Sequence, residues 1–296
     1  MKTVTVCICT YRRPEPLRRL LDEVARQDTA GRFSYSLVVA DNDRGESARA
    51  VVRQFAATSS VAVTYRVEPE QNIALARNRA LERAGGDFVA FIDDDEFPAP
   101  DWLARMVDAC EASRADGVLG PVRPFFDETP PAWLVRSRLC ERPEYPTGAA
   151  LDWRQTRTGN ALIRRAVLDG MPTPFRRELG NGGEDQDFFR RLMERGHRFV
   201  WCNEAVVYEV VPRERRRRRY FLKRALLRGQ NEERLLSIPS VVKSLVAVPV
   251  YVVSLPVMCL IGQHTLMDYS VRLLDHVGKL CAAMGIRPVR GKYLGG

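Results

Sequence analysis

The chain has 296 residues, room for one large domain or two smaller ones, and 45% of them are hydrophobic, which excludes global disorder. Seven cysteines are scattered at 7, 9, 110, 140, 202, 259 and 281 without a Cys-x-x-Cys pair, so neither a disulfide framework nor a zinc site is indicated, and a reducing compartment fits. The net charge is +9, and residues 213–234 alone hold nine Arg and one Lys against three Glu, so one segment makes the chain basic.

No signal-peptide pattern precedes the first strand pattern. Thr3 to Thr10 alternates, with Val4, Val6 and Ile8 on one face, and predicts a strand. After Pro14 and Pro16, Leu17, Leu20, Leu21 and Val24 recur at helical spacing. Leu37–Ala40 predicts a second strand closing on Asp41-Asn42-Asp43, followed by a helix over about 47–57. Val61–Val67 is a third strand, and Ile73, Ala76, Ala80, Leu81 and Ala84 mark the next helix. Phe88–Ile92 is a fourth strand. Strict alternation of strand and helix implies a mostly parallel sheet with helices on both faces. Ligands bind beyond the carboxyl ends of such strands. Thr10-Tyr11, Asp41-Asn42-Asp43 and Asp93-Asp94-Asp95 all fall there. Residues 124–150 read as a long loop, and Thr158–Ile163 as a short strand. A glycine-rich turn at 180–183 leads into Glu184-Asp185-Gln186-Asp187 and a helix carrying Phe188, Phe189, Leu192 and Met193. Phe199–Cys202 and Ala205–Val211 are further strands. No G-x-G-x-x-G or Walker A pattern occurs.

The chemistry is expected where the run Phe88–Ile92 ends in four consecutive acids, Asp93 to Glu96. On extended backbone Asp93 and Asp95 would point the same way. Two hard oxygen ligands suit Mn2+ or Mg2+ when phosphate completes the shell. A solvated acidic loop is the plain alternative. Asp41 can equally be a turn former, Arg77 a solvated helix cation, and Asp185 an acid that merely suits a helix start.

Five motifs in order resemble the family 2 glycosyltransferases of the GT-A fold, in particular bacterial exopolysaccharide enzymes of the succinoglycan glucosyltransferase type. They are Cys9-Thr10-Tyr11-Arg12-Arg13-Pro14, Val39-Ala40-Asp41-Asn42-Asp43, Asn72-Ile73-Ala74-Leu75-Ala76-Arg77-Asn78, Phe91-Ile92-Asp93-Asp94-Asp95 and Gly182-Gly183-Glu184-Asp185-Gln186-Asp187-Phe188, within a likeness running from about Thr3 to Gly229. The resemblance implies that Asp41 accepts from the donor's nucleobase with Thr10 and Tyr11 beside it. It implies Arg77 near the nucleoside and phosphates, Asp93 near the ribose or the metal, and Asp95 on the metal. Asp185 would be the catalytic base, next to Glu184. Many members carry a metal-binding His where this chain has Glu209, which leaves the third ligand open between Glu209 and none. His197, His264 and His276 sit elsewhere and read as surface or packing residues.

Arg215 to Arg219 could bind nucleic acid, a donor diphosphate or a lipid pyrophosphate. Tyr220, Phe221, Leu222, Leu226 and Leu227 interleave with the basic residues, which favours an amphipathic helix on a membrane. Ser244–Gly262 is nineteen residues without a charge, interrupted by Pro249 and Pro256, and reads as a span, a re-entrant or interfacial helix, or a soluble helix pair. A last amphipathic stretch carries Leu266, Tyr269, Leu273, Val277 and Leu280. The expectation is therefore an α/β GT-A domain over residues 1–212 and a basic, apolar, helical membrane-associating region over 213–296. It would be an inverting enzyme transferring glucose or a related hexose from a UDP-sugar to a lipid-linked glycan at the cytoplasmic face of the inner membrane. Mn2+ or Mg2+ would be its cofactor, and no nucleic acid is expected. A nucleotidyltransferase and a basic nucleic-acid binder are the competing readings.

Overall fold

The computed structural model describes residues 1–180, 182–231 and 238–289. Asn181 of the expected glycine-rich turn and the end of the expected basic segment lie outside them. The elements, in chain order, are β1 (Lys2–Thr10), α1 (Pro14–Val24), β2 (Phe33–Asp41), α2 (Arg49–Thr58), β3 (Val63–Val67), α3 (Ile73–Leu81), β4 (Phe88–Asp93), β5 (Glu96–Pro98), α4 (Trp102–Ser113), β6 (Gly117–Leu119), β7 (Val122–Phe125), α5 (Ala132–Ser137), β8 (Asn160–Arg164), α6 (Glu184–Glu194), β9 (Phe199–Trp201), β10 (Val207–Val210), α7 (Arg218–Asn231), α8 (Ile238–Ile261) and α9 (Gln263–Ala283).

Seven strands form the main sheet in the order β3-β2-β1-β4-β8-β6-β9. The first four are parallel, β8 runs antiparallel to both of its neighbours, and β6 and β9 are parallel. Strand β1 is central, and its middle residues are buried on both faces. That is what a crossover-linked parallel sheet requires. Leu17, Leu20 and Leu21 of α1, Val51 and Phe55 of α2, and Trp102 and Met106 of α4 cover one face. Ala74, Ala76 and Ala80 of α3 and Phe188, Phe189 and Leu192 of α6 cover the other. The alanine face of α3 lets that helix lie close to the sheet, which brings Arg77 inside the molecule. A second sheet of three strands, β5-β10-β7, carries Glu96 and Glu209 in register.

Several expectations change here. Strand β4 stops at Asp93, and Asp94 and Asp95 form a turn, so the two outer acids do not share a face by strand alternation. The segment 124–150 is not all loop, because it holds α5, and α4 was not anticipated. The chain groups into two units: Met1–Pro124 with Arg142–Val210, and Phe125–Glu141 with the chain from Val211 onward. The expected boundary after residue 212 lies two residues past Val210, but assigning 125–141 to the C-terminal unit was unforeseen.

Within the second unit, α7 packs on α9, and Leu134, Phe221, Ala225, Met267 and Val271 form a small core. Trp133 stands edge-on to Phe221, with ring centroids 6.0 Å apart. The uncharged stretch forms one continuous helix, α8, despite Pro249 and Pro256, and it is long and apolar enough to cross a membrane by length and composition.

Candidate active site

The site lies at the carboxyl ends of β1, β2 and β4. A three-residue link joins β1 to α1, and Pro14 begins the helix with its fixed φ. The residue at the N-cap position is Arg13, whose side chain does not cap the helix. Its guanidinium instead reaches the acidic turn, 3.2 Å from Asp94 Oδ1 and 3.1 Å from Asp95 Oδ2. The Thr10 hydroxyl donates to Asp94 Oδ2 at 2.7 Å. The middle acid is therefore the buried one, and burial, then Asp95, push its carboxyl up to about 7 against the pull of Arg13. Thr10 thereby braces the acidic turn. Tyr11 is half-buried, with the Arg12 guanidinium 5.1 Å from its ring centroid.

Glu96 folds back beneath the turn and accepts from the Asp93 backbone N–H at 3.1 Å. It is 2% exposed, and burial holds its carboxyl well above the usual range. Gly159, just before β8, makes room for it. A Cβ there would lie 2.8 Å from Glu96 Oε1 and 3.2 Å from Asp93 Oδ2.

Asp41 is fully buried. Its Oδ1 accepts from Asp43 N at 3.1 Å, and its Oδ2 from Ala48 N at 2.8 Å and the Tyr65 hydroxyl at 2.7 Å. The carboxylate expected at a nucleobase thus organises the loop after β2. Asn42 ties that loop to the next crossover: its amide donates to the Glu68 carbonyl at 3.0 Å, and its Oδ1 accepts from Asn72 N at 2.9 Å. Asn72 in turn caps α3, accepting from Ala74 N and Leu75 N.

Arg77 joins the two acidic clusters. It is 7% exposed, pairs with Glu184, and has Nη2 3.6 Å from Asp93 Oδ1. Its guanidinium lies 5.6 Å from the Phe175 ring centroid. Burial disfavours its charge, but Glu184 and Asp93 outweigh that and hold it more firmly protonated than a free arginine. The neighbouring Cys9 thiol is pushed up to about 12 by burial, so it is no nucleophile at neutral pH. Glu184 is 5% exposed, burial raises its pKa against the pull of Arg77, and its Oε2 is buried without a hydrogen-bond partner.

Helix α6 begins at Glu184, after Gly183, with three acids in its first turn. They diverge. Glu184 points inward to Arg77. Asp187 holds Arg190 at 3.0 Å and Arg191 at 2.7 Å and is structural. Asp185 is half-buried and makes no ion pair among the described residues, and its Oδ1 accepts only from Gln186 N at 2.8 Å. Of the three first-turn acids it is the one without an ion pair among the described residues.

Glu209 lies on β10. It pairs with Arg142. Arg142 is held charged by Glu209, Glu96, Asp93 and Asp95, which outweigh its burial. Among the described residues no three His, Cys, Asp or Glu side chains converge as a metal cage. A hard cation can be held by one or two carboxylates together with substrate phosphate oxygens. Asp93, with a side chain 45% exposed, and Asp95 fit such a site. Arg13 and Arg142 were missed by sequence reasoning, and Glu96 was noticed only as part of the acidic run. Arg13 lay in the first motif and could have been found there, whereas Arg142 sits in a loop without any signal. Arg219 lies on α7 in the second unit and is exposed.

The sequence matches the family described as Glycosyl transferase family 2 over residues 5–172. The chain belongs to that family. It is 37% identical to the succinoglycan biosynthesis protein ExoM of Rhizobium meliloti (strain 1021) over 235 residues, covering 79% of this chain and 75% of that protein. It is 24% identical to the glycosyltransferase AglE of Haloferax volcanii, covering 69% of this chain and 65% of that protein. Among solved structures, residues 1–349 of S. aureus TarS in complex with UDP-GlcNAc superpose with a TM-score of 0.57 at 15% identity, covering 98% of this chain and 93% of that one. The mannosyltransferase PcManGT of Pyrobaculum calidifontis, in complex with GDP-Man and Mn2+, gives 0.58 at 20% identity, covering 95% and 73%. The fold is GT-A, as the order of motifs led us to expect, and the chain is a glycosyltransferase.

Proposed function

We propose that this glycosyltransferase transfers glucose or a related hexose from a UDP-sugar to a hydroxyl of a lipid-linked glycan, with inversion at the anomeric carbon. The observation that carries the reading is Arg77, which bridges the turn of Asp93–Asp95 and the start of the helix that presents Asp185. Donor and acceptor chemistry need those two places side by side.

The donor's diphosphate lies against the acidic turn. Asp95 and Asp93 would hold a divalent cation, Mn2+ or Mg2+, which supplies charge neutralisation at the leaving phosphate when bound. Arg13 and Arg142 are fixed cations beside the same carboxylates and contribute to that neutralisation. Asp185 takes the proton from the acceptor hydroxyl as its oxygen bonds to the anomeric carbon, and the bond to the leaving diphosphate breaks on the opposite face. A single displacement converts an α-linked donor into a β-linked product. The structures of TarS with UDP-GlcNAc and of PcManGT with GDP-Man and Mn2+ support a nucleotide-sugar donor and a divalent ion. The identity to ExoM supports a growing polysaccharide unit as acceptor. The basic segment and α8 support work at a membrane surface, on its cytoplasmic side.

A donor screen with the full-length protein tests this. Released nucleoside diphosphate is measured with each sugar nucleotide, with and without Mn2+, and the product's anomeric configuration is read by NMR. UDP-hexose turnover with a β-linked product is expected. Retention of the α-configuration contradicts the mechanism.

A further inference from the structure

Helix α8 leaves most of its apolar surface uncovered. Ser244 and Tyr251 face α9, and Val248 and Leu255 on the same helix are half-buried. Ser244 Oγ and His276 Nδ1 lie 3.0 Å apart, and the Tyr251 and Tyr269 rings meet edge-on with centroids 5.6 Å apart. The Thr265 hydroxyl donates to the Met258 carbonyl at 3.1 Å. These contacts pair 244 with 276, 251 with 269 and 258 with 265, so the two helices run antiparallel from Gly262 as a hairpin. The opposite face of α8 exposes Val242, Val246, Val250, Val253, Val257 and Leu260. A helix of a water-soluble protein has the reverse polarity. The one charged side chain on α8 is Lys243, near its start.

Length and composition alone would allow α8 to span a bilayer. Its partner does not. Helix α9 carries Asp268, Arg272, Asp275 and Lys279 and is fastened to α7. Arg228 Nε donates to Asp275 Oδ1 at 2.9 Å. The two backbones touch where both helices have glycine: a Cβ on Gly229 would lie 2.1 Å from the Asp275 carbonyl oxygen, and one on Gly278 2.4 Å from that of Leu226. A spanning α8 would either draw those charges into hydrocarbon or be stripped from α9.

What covers the apolar face follows from charge. Arg217, Lys223 and Arg224 are exposed in the same unit, and Arg218 reaches Gln263 at the hairpin turn. A second copy of the chain would bring like charge to the same place. Anionic headgroups bring the opposite charge, with acyl chains beneath for the valines. We propose that the α8–α9 hairpin is a monotopic anchor, with α8 lying in the plane of one leaflet of an anionic bilayer and both of its ends on the same side. The proposal deepens the membrane-surface reading above and rests on it.

Topology tests it in inverted membrane vesicles from cells expressing the full-length protein. In a Cys259→Ser background, Ile238→Cys and Gln263→Cys are each probed with a membrane-impermeant maleimide, against the parent's background labelling. Both sites should react before detergent is added. Protection of one site until detergent is added means a span and overturns the proposal alone. Absence of the protein from the membrane fraction overturns the membrane reading together with it. With purified protein, flotation should favour phosphatidylglycerol-containing vesicles over phosphatidylcholine by more than about tenfold, and Arg217→Ser/Lys223→Ser/Arg224→Ser should abolish that preference. Val246→Ser/Val253→Ser/Val257→Ser should weaken binding to both vesicle types by more than about tenfold. Protein that dimerises and leaves both vesicle types unbound overturns the proposal in favour of a second copy.

Discussion

Arg77 and Glu184 form a buried ion pair across 107 positions of sequence. The pair fixes where the helix carrying Asp185 begins relative to the strand carrying Asp93. It also explains why an arginine is tolerated on the apolar face of α3: two carboxylates and the Phe175 ring replace the water it has lost. Its role is thus positioning as well as any contact with the donor.

Breaking that pair from one side should be costly. Arg77→Met leaves Glu184 buried without a cation and is expected to lower stability by about 3–5 kcal/mol. The double variant Arg77→Met/Glu184→Gln should recover part of the loss, since neither group is then a stranded charge. Urea unfolding of the four proteins in the cycle measures this. Additive losses would mean that the pair is not coupled.

The pH dependence of stability carries a related signature. Burial raises the Glu184 pKa above its ordinary value of 4.5. Between that value and its folded one, the folded state binds more protons than the unfolded state. Stability from this group is therefore present at low pH and declines as pH rises above 4.5, levelling once the folded pKa is passed. Glu184→Gln should remove that decline. Melting temperatures of both proteins across the acid-to-neutral range test it, and a difference that grows in the opposite direction would contradict the assignment.

Glu209 is committed to Arg142, so it should matter little to cation binding. Glu209→Ala is expected to change Mn2+-dependent binding of UDP by less than about threefold, whereas Asp95→Ala should weaken it by about 10–100-fold or more. Calorimetric titration of UDP with and without Mn2+ separates the two. Equal losses would restore Glu209 as a ligand.

A Cβ on Gly159 would press on the carboxylate oxygens of Glu96 and Asp93, so the buried Glu96 side chain must shift to admit it. Gly159→Ala should destabilise by about 1–3 kcal/mol through overpacking of a buried turn. Thermal unfolding should show the shift. A variant as stable as the parent would mean that the acidic turn gives way easily.

The alternating strand–helix order and both acidic clusters were legible in the sequence because period and punctuation are local properties. Valine alternation marked β1, and an apolar run marked β4. The path of the chain after Asp93 was not legible. Four adjacent acids gave no sign that Asp94 would turn inward to Thr10 and Arg13, or that Glu96 would tuck under the strand end. Those outcomes depend on partners more than eighty residues upstream and on a glycine more than sixty downstream. At Asp41 a ligand residue and a loop organiser look alike in sequence, because an acid at a strand end suits both. Its three internal donors come from residues two, seven and twenty-four positions away. Helix α5 was read as loop because prolines and charges dominate its surroundings.

Asp185 is proposed as the acceptor's base, with Arg77 linking its helix to the acidic turn. The direct measurement is single-turnover transfer by Asp185→Asn, alongside the affinity of the same variant for UDP. Transfer should fall by about 10²–10⁴-fold while UDP binds as tightly as to the parent. Full transfer by Asp185→Asn would contradict the claim.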